Sequence, residues 1–159
     1  MIEQNKISIA VIGLGYVGLP LAVEFSKKYP VVGFDLNLER INELKEGYDR
    51  TGEINSEILK SAKNLSLSDK KLSIENANVY IVTVPTPVDK NNTPNLRPLE
   101  SASQTVSSCL EEGNIVIYES TVFPGATEEV CVPLLEKFSN LKYNKDFFCG
   151  YSPERINPG

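Results

Sequence analysis

Three glycines near the beginning of the chain have a spacing that suits phosphate binding. Gly13, Gly15 and Gly18 follow an apolar run and precede an amphipathic segment. In the pattern G-x-G-x-x-G, the first glycine permits a tight turn, the second lets a pyrophosphate approach the backbone, and the third lets a helix pack closely on a strand. The N–H groups at the start of that helix then face the phosphates. The pattern predicts a dinucleotide-binding loop.

An acidic side chain further along has a position that suits a ribose. Asp35 ends a short apolar run, 31–35. A carboxylate at the tip of the second parallel strand accepts hydrogen bonds from the adenosine ribose hydroxyls and repels a 2′-phosphate, which favours NAD over NADP. The alternative is a turn or helix-capping role, for which Asn37 is the better candidate.

One basic residue lies close to this acid. Arg40 falls in the first turns of the next helix and can reach the adenine side of the site. The alternative is a solvated arginine. Residues 48–55 are polar and irregular, and we assign no chemistry to them.

Two later strand ends carry further candidates. The segment 85–98 holds four of the ten prolines of the chain and is therefore stiff. Because loops after parallel strands face the ligand crevice, we expect it to wall the nicotinamide side of the pocket, the alternative being a rigid connector or linker. At the next strand end, the hydroxyls of Ser120 and Thr121 can bind a ligand or cap the following helix, and both roles stay open.

The elements that position these residues alternate along the chain. The order is β-α-β-α-β followed by β-α-β-α-β, which predicts an α/β fold with a six-stranded doubly wound parallel sheet, order 3-2-1-4-5-6, and helices on both faces. The cofactor should span the switch between strands one and four. We predict strands over 7–12, 31–35, 65–68, 79–84, 114–119 and 146–151, and helices over 16–28, 37–46, 56–63, 99–110 and 127–138.

Composition limits the classes of function. The chain has 159 residues, 41% hydrophobic and 23% charged, as expected of one globular domain, and its net charge of −5 argues against a nucleic-acid partner. No apolar run is long enough for a membrane span, and the first strand begins almost at Met1, so we expect no signal peptide and a cytoplasmic protein. Three widely spaced cysteines and no histidine predict reduced thiols and no metal site.

Four ordered motifs resemble those of a known family. They are Gly13–Gly18 (GLGYVG), Val84–Val88 (VPTPV), Glu119–Val122 (ESTV) and Ser152–Arg155 (SPER). The whole chain resembles the N-terminal, NAD-binding Rossmann domain of the UDP-glucose/GDP-mannose dehydrogenases. These enzymes oxidise the C6 alcohol of a sugar nucleotide to a carboxylate, passing two hydrides to NAD through an aldehyde and a cysteine thioester.

The resemblance also implies site residues. Glu154 and Thr121 are implied to be catalytic, and Glu154, Arg155, Ile156 and Asn157 to line the substrate site. The nucleophilic cysteine, the lysine, the central helix and the UDP-binding domain of the family would follow residue 159, and none of Cys109, Cys131 or Cys149 is in a matching motif. The implied NAD contacts are Gly13, Leu14, Gly15, Tyr16, Val17, Gly18, Asp35, Arg40, Val84, Pro85, Thr86, Pro87, Ser120 and Thr121.

Two departures from the family pattern bear on the substrate. Arg155 stands where UDP-glucose and GDP-mannose enzymes typically carry phenylalanine, and Pro158 where they carry a second glutamate. The sequence SPERINPG is similar to that of the branch acting on UDP-N-acetylhexosamines, including the Vi-polysaccharide type. The resemblance implies a UDP-N-acetylglucosamine, -galactosamine or -mannosamine 6-dehydrogenase that is a homodimer at full length, and a fragment that is inactive alone. The alternatives are a β-hydroxyacid or 6-phosphogluconate-type dehydrogenase domain and a non-catalytic nucleotide-binding module.

Overall fold

The sheet has the predicted order. In the computed structural model, which describes residues 6–88, 90, 94–120 and 125–152, a six-stranded sheet runs β3-β2-β1-β4-β5-β6 with each neighbouring pair parallel. The strands are β1 (Ile9–Ile12), β2 (Val31–Phe34), β3 (Leu65–Ser68), β4 (Val79–Val82), β5 (Ile115–Tyr118) and β6 (Phe148–Tyr151).

The central strand determines where a ligand can bind. Ile12 in β1 is in register with Phe34 in β2 on one side and with Val82 in β4 on the other. The chain builds the sheet outward from β1 in one direction and then, from β4, in the other. The loops that follow β1 and β4 therefore diverge at a topological switch point, where open α/β sheets bind ligands.

The helices occur where the sequence predicts them, but each is shorter than predicted. Helix α1 begins at Gly18 and not near Tyr16, because the glycine loop occupies residues 13–17. Helix α4 begins at Arg97 and not at Leu99, so Pro98 lies in its first turn and not in the preceding loop; a missing N–H costs nothing there. The helices are α1 (Gly18–Ser26), α2 (Leu38–Lys45), α3 (Ser56–Ser61), α4 (Arg97–Ser107) and α5 (Val132–Ser139), with a 3₁₀ turn at Lys71–Ile74.

One predicted helix is divided. Residues 127–138 were expected to form a single helix, but Thr127–Cys131 is a π-helical turn and α5 begins only at Val132. Pro133 explains the change, because it has no N–H to donate to the carbonyl of Glu129 four residues earlier. The wider turn precedes the proline, and a regular helix follows it.

Both faces of the sheet are covered. Along β1, Ile9 and Val11 pack into one apolar cluster with α1 and α2, and Ala10 and Ile12 pack into the other with α4 and α5. None of these four side chains is more than 3% exposed. This burial explains why the central strands β1 and β4 are continuous apolar runs. No helix in the described residues is long and apolar enough to cross a membrane.

Candidate functional site

A different structural feature explains each glycine of the loop. Gly13 adopts φ = +96°, a left-handed backbone that favours glycine. A Cβ on Gly18 would lie 1.9 Å from the carbonyl oxygen of Gly13, so only glycine fits where α1 meets the strand end. A Cβ on Gly15 would meet no protein atom within 4 Å. The space above Gly15 is open, as the approach of a pyrophosphate to the backbone requires.

The start of α1 offers unused hydrogen-bond donors. No side chain caps this helix, whereas Asn37 caps α2 and Asn55 caps α3. The first helical bond runs from Leu19 N to Gly15 O, and none of the hydrogen bonds among described residues uses the N–H groups of residues 15–18. Free N–H groups at a helix N-terminus, together with the helix dipole, favour an anion.

Asp35 is at the tip of β2, as predicted, and contacts the glycine loop. Its Oδ2 accepts a hydrogen bond from Leu14 N at 2.8 Å, and its Oδ1 accepts one from Asn37 N at 2.9 Å. The helix cap itself is Asn37, whose side chain accepts from Arg40 N. The carboxylate is half-buried and lines a cavity, so its remaining lone pairs can accept from a ribose.

Arg40 is buried, and the alternative of a solvated arginine is wrong. Only 5% of the residue is exposed. Its Nε donates to the carbonyl oxygen of Leu14 at 2.9 Å, and its Nη2 donates to Asp49 Oδ1 at 2.6 Å. The other amino nitrogen, Nη1, is buried without a hydrogen-bond partner among the described residues.

Asp49 organises the polar loop to which the sequence assigned no chemistry. Its carboxylate accepts from the N–H and hydroxyl of Thr51 and from Ile54 N, besides the guanidinium of Arg40. Burial by itself raises the pKa of Asp49, but the hydrogen bonds from Thr51, Arg40 and Ile54 outweigh it and hold the pKa below the ordinary value. Asp49 is therefore an anion held in place by several donors.

Sequence reasoning also missed Thr83, which joins β4 to the glycine loop. Its hydroxyl donates to Gly13 O at 2.7 Å and lies 3.1 Å from Ile12 O. The same hydroxyl would be 2.4 Å from a Cβ on Gly18. A threonine directly after an apolar strand, beside a predicted switch point, was the available signal.

Two adjacent cavities meet at the glycine loop. Their volumes are about 340 Å³ and about 160 Å³, and Val84 and Pro85 line both. The larger is lined by Gly15, Tyr16, Val17, Thr83, Val84, Pro85, Thr86, Pro87, Glu119 and Ser120. The smaller is lined by Ile12, Gly13, Phe34, Asp35, Leu36, Val84, Pro85, Pro98, Ser101, Ala102 and Thr105.

The proline-rich segment is a wall of these cavities, not a linker. It folds back on itself through an antiparallel bridge between Val88 and Pro94 and a hydrogen bond from Asn95 N to Pro87 O at 2.7 Å. Ser120, at the tip of β5, donates its hydroxyl to Val84 O at 2.8 Å. Ser120 thus anchors the segment and does not cap the following helix, where no side-chain cap is present.

The expected site residues divide into three groups. Those of the glycine loop, Asp35, residues 84–87 and Ser120 line the two cavities or contact residues that do. Arg40 lies behind the loop. Thr121, Glu154, Arg155, Ile156 and Asn157 are outside the described residues.

The three cysteines are free thiols, and none of them is exposed at the surface. Cys109 and Cys131 are buried, and Cys149 is half-buried. Burial raises the pKa of Cys131 to about 11 and that of Cys149 to about 12, so both are protonated at neutral pH. Within residues 6–88, 90, 94–120 and 125–152, no group of three or more His, Cys, Asp or Glu side chains could hold a metal ion.

These features fit a dinucleotide. The open space above Gly15, the uncapped N-terminus of α1 and the acid at the tip of β2 match the pyrophosphate and the adenosine ribose. The pair of cavities provides room on both sides of the pyrophosphate. Nothing in the described part of the site blocks such a ligand.

Known proteins are similar to this chain in sequence and in fold. The chain is 60% identical to the UDP-N-acetyl-D-glucosamine 6-dehydrogenase of Pseudomonas aeruginosa, over 98% of this chain and 37% of that protein. It is 54% identical to the enzyme of the same name from Salmonella typhi, over 100% of this chain and 37% of that one. A solved structure of UDP-D-ManNAc dehydrogenase from Pyrococcus horikoshii matches with a TM-score of 0.89 at 38% identity, covering 96% of this chain and 37% of that chain.

The chain spans little more than a third of the length of these relatives. Residues 7–159 match the NAD binding domain of one family. The four motifs, the strand order and the geometry of the glycine loop agree with that match. The chain belongs to the UDP-glucose/GDP-mannose dehydrogenase family and carries its NAD-binding domain.

Proposed function

We propose that the chain is the NAD-binding part of a UDP-N-acetylhexosamine 6-dehydrogenase. The observation that carries the proposal is the identity of 60% and 54% to two UDP-N-acetyl-D-glucosamine 6-dehydrogenases. The motif SPERINPG, in which Arg155 and Pro158 depart from the pattern of UDP-glucose enzymes, supports it. The whole enzyme would oxidise the C6 alcohol of a UDP-sugar to a carboxylate and reduce two NAD, and we further propose a cytoplasmic homodimer.

The cofactor would lie across the two cavities. Its adenosine ribose would bind Asp35 in the smaller cavity, and its pyrophosphate would bind the N–H groups of residues 15–18. The nicotinamide would then occupy the larger cavity, between residues 84–87 and Ser120. NAD supplies the acceptor for the hydride, and the residues of this chain bind and orient it.

The direct test uses the full-length protein that contains this sequence. NADH formation is followed with UDP-N-acetylglucosamine, UDP-N-acetylmannosamine, UDP-N-acetylgalactosamine, UDP-glucose and GDP-mannose. We expect the highest kcat/KM with an N-acetylated UDP-sugar and two NADH per sugar oxidised. A higher kcat/KM with UDP-glucose or GDP-mannose would contradict the assigned substrate, and binding of NAD without any reduction would favour a non-catalytic module.

Residues after β6 are the proposed substrate contacts. Glu154, Arg155, Ile156 and Asn157 lie outside the described residues, so their assignment rests on the motif alone. A guanidinium at position 155 can donate to carbonyl or phosphate oxygens. Arg155→Phe in the full-length enzyme should lower kcat/KM for the N-acetylated substrate by about 10–150-fold, the loss of one charge-assisted hydrogen bond. An unchanged preference between N-acetylated and plain sugars would show that Arg155 does not select the substrate.

A further inference from the structure

The peptide group of Leu14 is held by side chains on both sides. Its N–H donates to Asp35 Oδ2 at 2.8 Å, and its carbonyl oxygen accepts from Arg40 Nε at 2.9 Å. Leu14 itself is fully buried. The residue that precedes the open position at Gly15 is thus fixed by two ionised side chains from outside the loop.

The bond from Arg40 occupies a particular acceptor. In a regular helix, the carbonyl of Leu14 would accept from the N–H of Gly18, four residues later. Among the described residues, Gly18 N makes no such bond, and the first helical bond starts one residue later, at Leu19. Arg40 therefore donates to the carbonyl that would accept from Gly18 N if α1 extended back into the glycine loop.

Asp49 in turn holds Arg40. The contact from Arg40 Nη2 to Asp49 Oδ1 is 2.6 Å, and the two side chains are 6% and 0% exposed. Asp49 also accepts from Thr51 and Ile54, so it is fixed within its own loop. The guanidinium is held at one end by this carboxylate, which leaves Nε directed at Leu14.

We propose that Arg40 is a positioning residue of the cofactor site, which holds the Leu14 carbonyl out of helix α1 so that the N–H group of Gly18 stays free for the pyrophosphate, and that Asp49 positions Arg40. The role rests on the proposed placement of NAD at the glycine loop. It differs from a direct contact between Arg40 and the nucleoside, because the action passes through the backbone of Leu14.

The first measurement needs no variant. In NMR of the isotope-labelled chain, a scalar coupling across the hydrogen bond between Arg40 Nε and the Leu14 carbonyl should be present without ligand and persist with saturating NAD. Shifts of the amides of residues 13–18 on addition of NAD test the site itself. Binding of NAD that leaves the amides of residues 13–18 unshifted would contradict the proposed site, and loss of the coupling on NAD binding would contradict only the positioning role.

The second measurement compares variants by calorimetry and NMR titration. Arg40→Lys keeps the charge but lacks the fork that reaches Leu14 and Asp49 together, and Asp49→Asn removes the anion that holds Arg40. Both should weaken the binding of NAD and of ADP-ribose by about 10–100-fold, as expected for losing an interaction of a charged group. The double variant should lose no more affinity than either single variant. Adenosine, which has no pyrophosphate, should be affected by less than about threefold.

The matched control is Arg50→Ala. Arg50 lies beside Asp49 on the same loop, and its ion pairs among the described residues are with Glu43 and Glu39. This variant should bind NAD as the unmodified chain does. Folded Arg40→Lys and Asp49→Asn variants that also bind NAD normally would overturn the inference, as would equal losses for NAD and adenosine, which indicate direct contact with the nucleoside. If a substitution unfolds the chain, the coupling in the unmodified chain still decides.

Discussion

The carboxylate of Asp35 already holds two backbone N–H groups, those of Leu14 and Asn37, in the structure without ligand. Each carboxylate oxygen can accept more than one hydrogen bond, so a ribose can bind without breaking these contacts. The same negative charge would face a 2′-phosphate if NADP occupied the site. This one side chain shapes the loop, and we expect it also to discriminate against NADP.

We predict that the chain binds NAD at least about tenfold more tightly than NADP, equal to ~1.4 kcal/mol. Asp35→Asn should weaken NAD binding and reduce the ratio of the affinities for NAD and NADP, because a neutral amide does not repel the 2′-phosphate. Calorimetric titration with both nucleotides measures the ratio. The control, Glu46→Gln, removes an exposed charge at the other end of α2 and should leave the ratio unchanged. Equal or tighter NADP binding by the unmodified chain would rule out this role.

The buried anion of Asp49 makes stability depend on pH. Because its pKa is below the ordinary value of 3.8 in the folded state, the stabilisation is fully present above that value and is lost as the pH falls through the folded-state pKa. Asp49→Asn leaves Arg40 buried without its anion and should lower the free energy of unfolding at pH 7 by about 3–5 kcal/mol.

The difference should shrink at pH 3, which is below the ordinary value of 3.8, because the unfolded chain then binds a proton at Asp49 more readily than the folded chain does. Urea unfolding of both proteins at pH 7 and pH 3 measures this change. Glu43→Gln, which removes one of the two carboxylates that pair with Arg50, should cost less than about 1 kcal/mol at either pH. A cost of Asp49→Asn that is the same at both pH values would argue against the anion as its source.

At the scale of elements, the junction of β1 and α1 contains two glycines with different expected roles. We expect Gly18 to be needed for folding and Gly15 to be needed for binding NAD. Gly18 has no room for a Cβ, since the Gly13 carbonyl would lie 1.9 Å away, whereas Gly15 has open space. Gly18→Ala should therefore destabilise the fold by at least about 2–3 kcal/mol. Gly15→Ala should change stability by less than about 1 kcal/mol, because Gly15 does not need a left-handed backbone.

We expect Gly15→Ala, the less destabilising of the two substitutions, to weaken NAD binding more than Gly18→Ala does. Gly15→Ala should weaken NAD by at least about tenfold, because its methyl group enters the space of the pyrophosphate. Thermal unfolding and NAD titration of the two variants give both quantities. A destabilised Gly15→Ala variant, or a folded one with normal affinity for NAD, would show that this space is not the pyrophosphate site.

The strand order and the cavity-lining loops could be predicted because their signals are local. Continuous apolar runs marked the central strands, the alternating segment Leu65–Ser68 marked an edge strand, and the right-handed crossover rule ordered them. The burial of Arg40 could not be predicted in this way, because it depends on Asp49, in a loop without apolar periodicity, and on the carbonyl of Leu14, far away in sequence. The sequence D-x-T at Asp49 to Thr51 was a weak local signal of a carboxylate that accepts from its own loop.

The π-turn before α5 is a second feature that periodicity does not reveal. The apolar spacing of residues 127–138 continues through it, so the pattern suited one helix. The change of hydrogen-bonding depends on a single missing donor at Pro133. Boundaries elsewhere differed from the prediction only at their ends, where helices and strands give way to the loops of the site.

At the scale of the whole molecule, the described residues provide a cofactor site without a reactive thiol. Cys109 and Cys131 are buried, and burial holds the pKa of Cys131 near 11 and that of Cys149 near 12. Formation of a thioester needs a thiolate beside a base. None of the three thiols in this chain meets that requirement at neutral pH.

We therefore predict that the chain binds NAD but produces no NADH from any UDP-sugar. The three thiols should also react with iodoacetamide at pH 8 much more slowly than in urea-unfolded chain, by at least about tenfold, since only the thiolate is nucleophilic. Absorbance of NADH and mass spectrometry of alkylated chains check both statements. The full-length protein, assayed alongside, is the control for substrate and cofactor quality. Steady NADH production by the 159-residue chain would mean that one of Cys109, Cys131 and Cys149 is activated, or that the reaction proceeds without a covalent thioester.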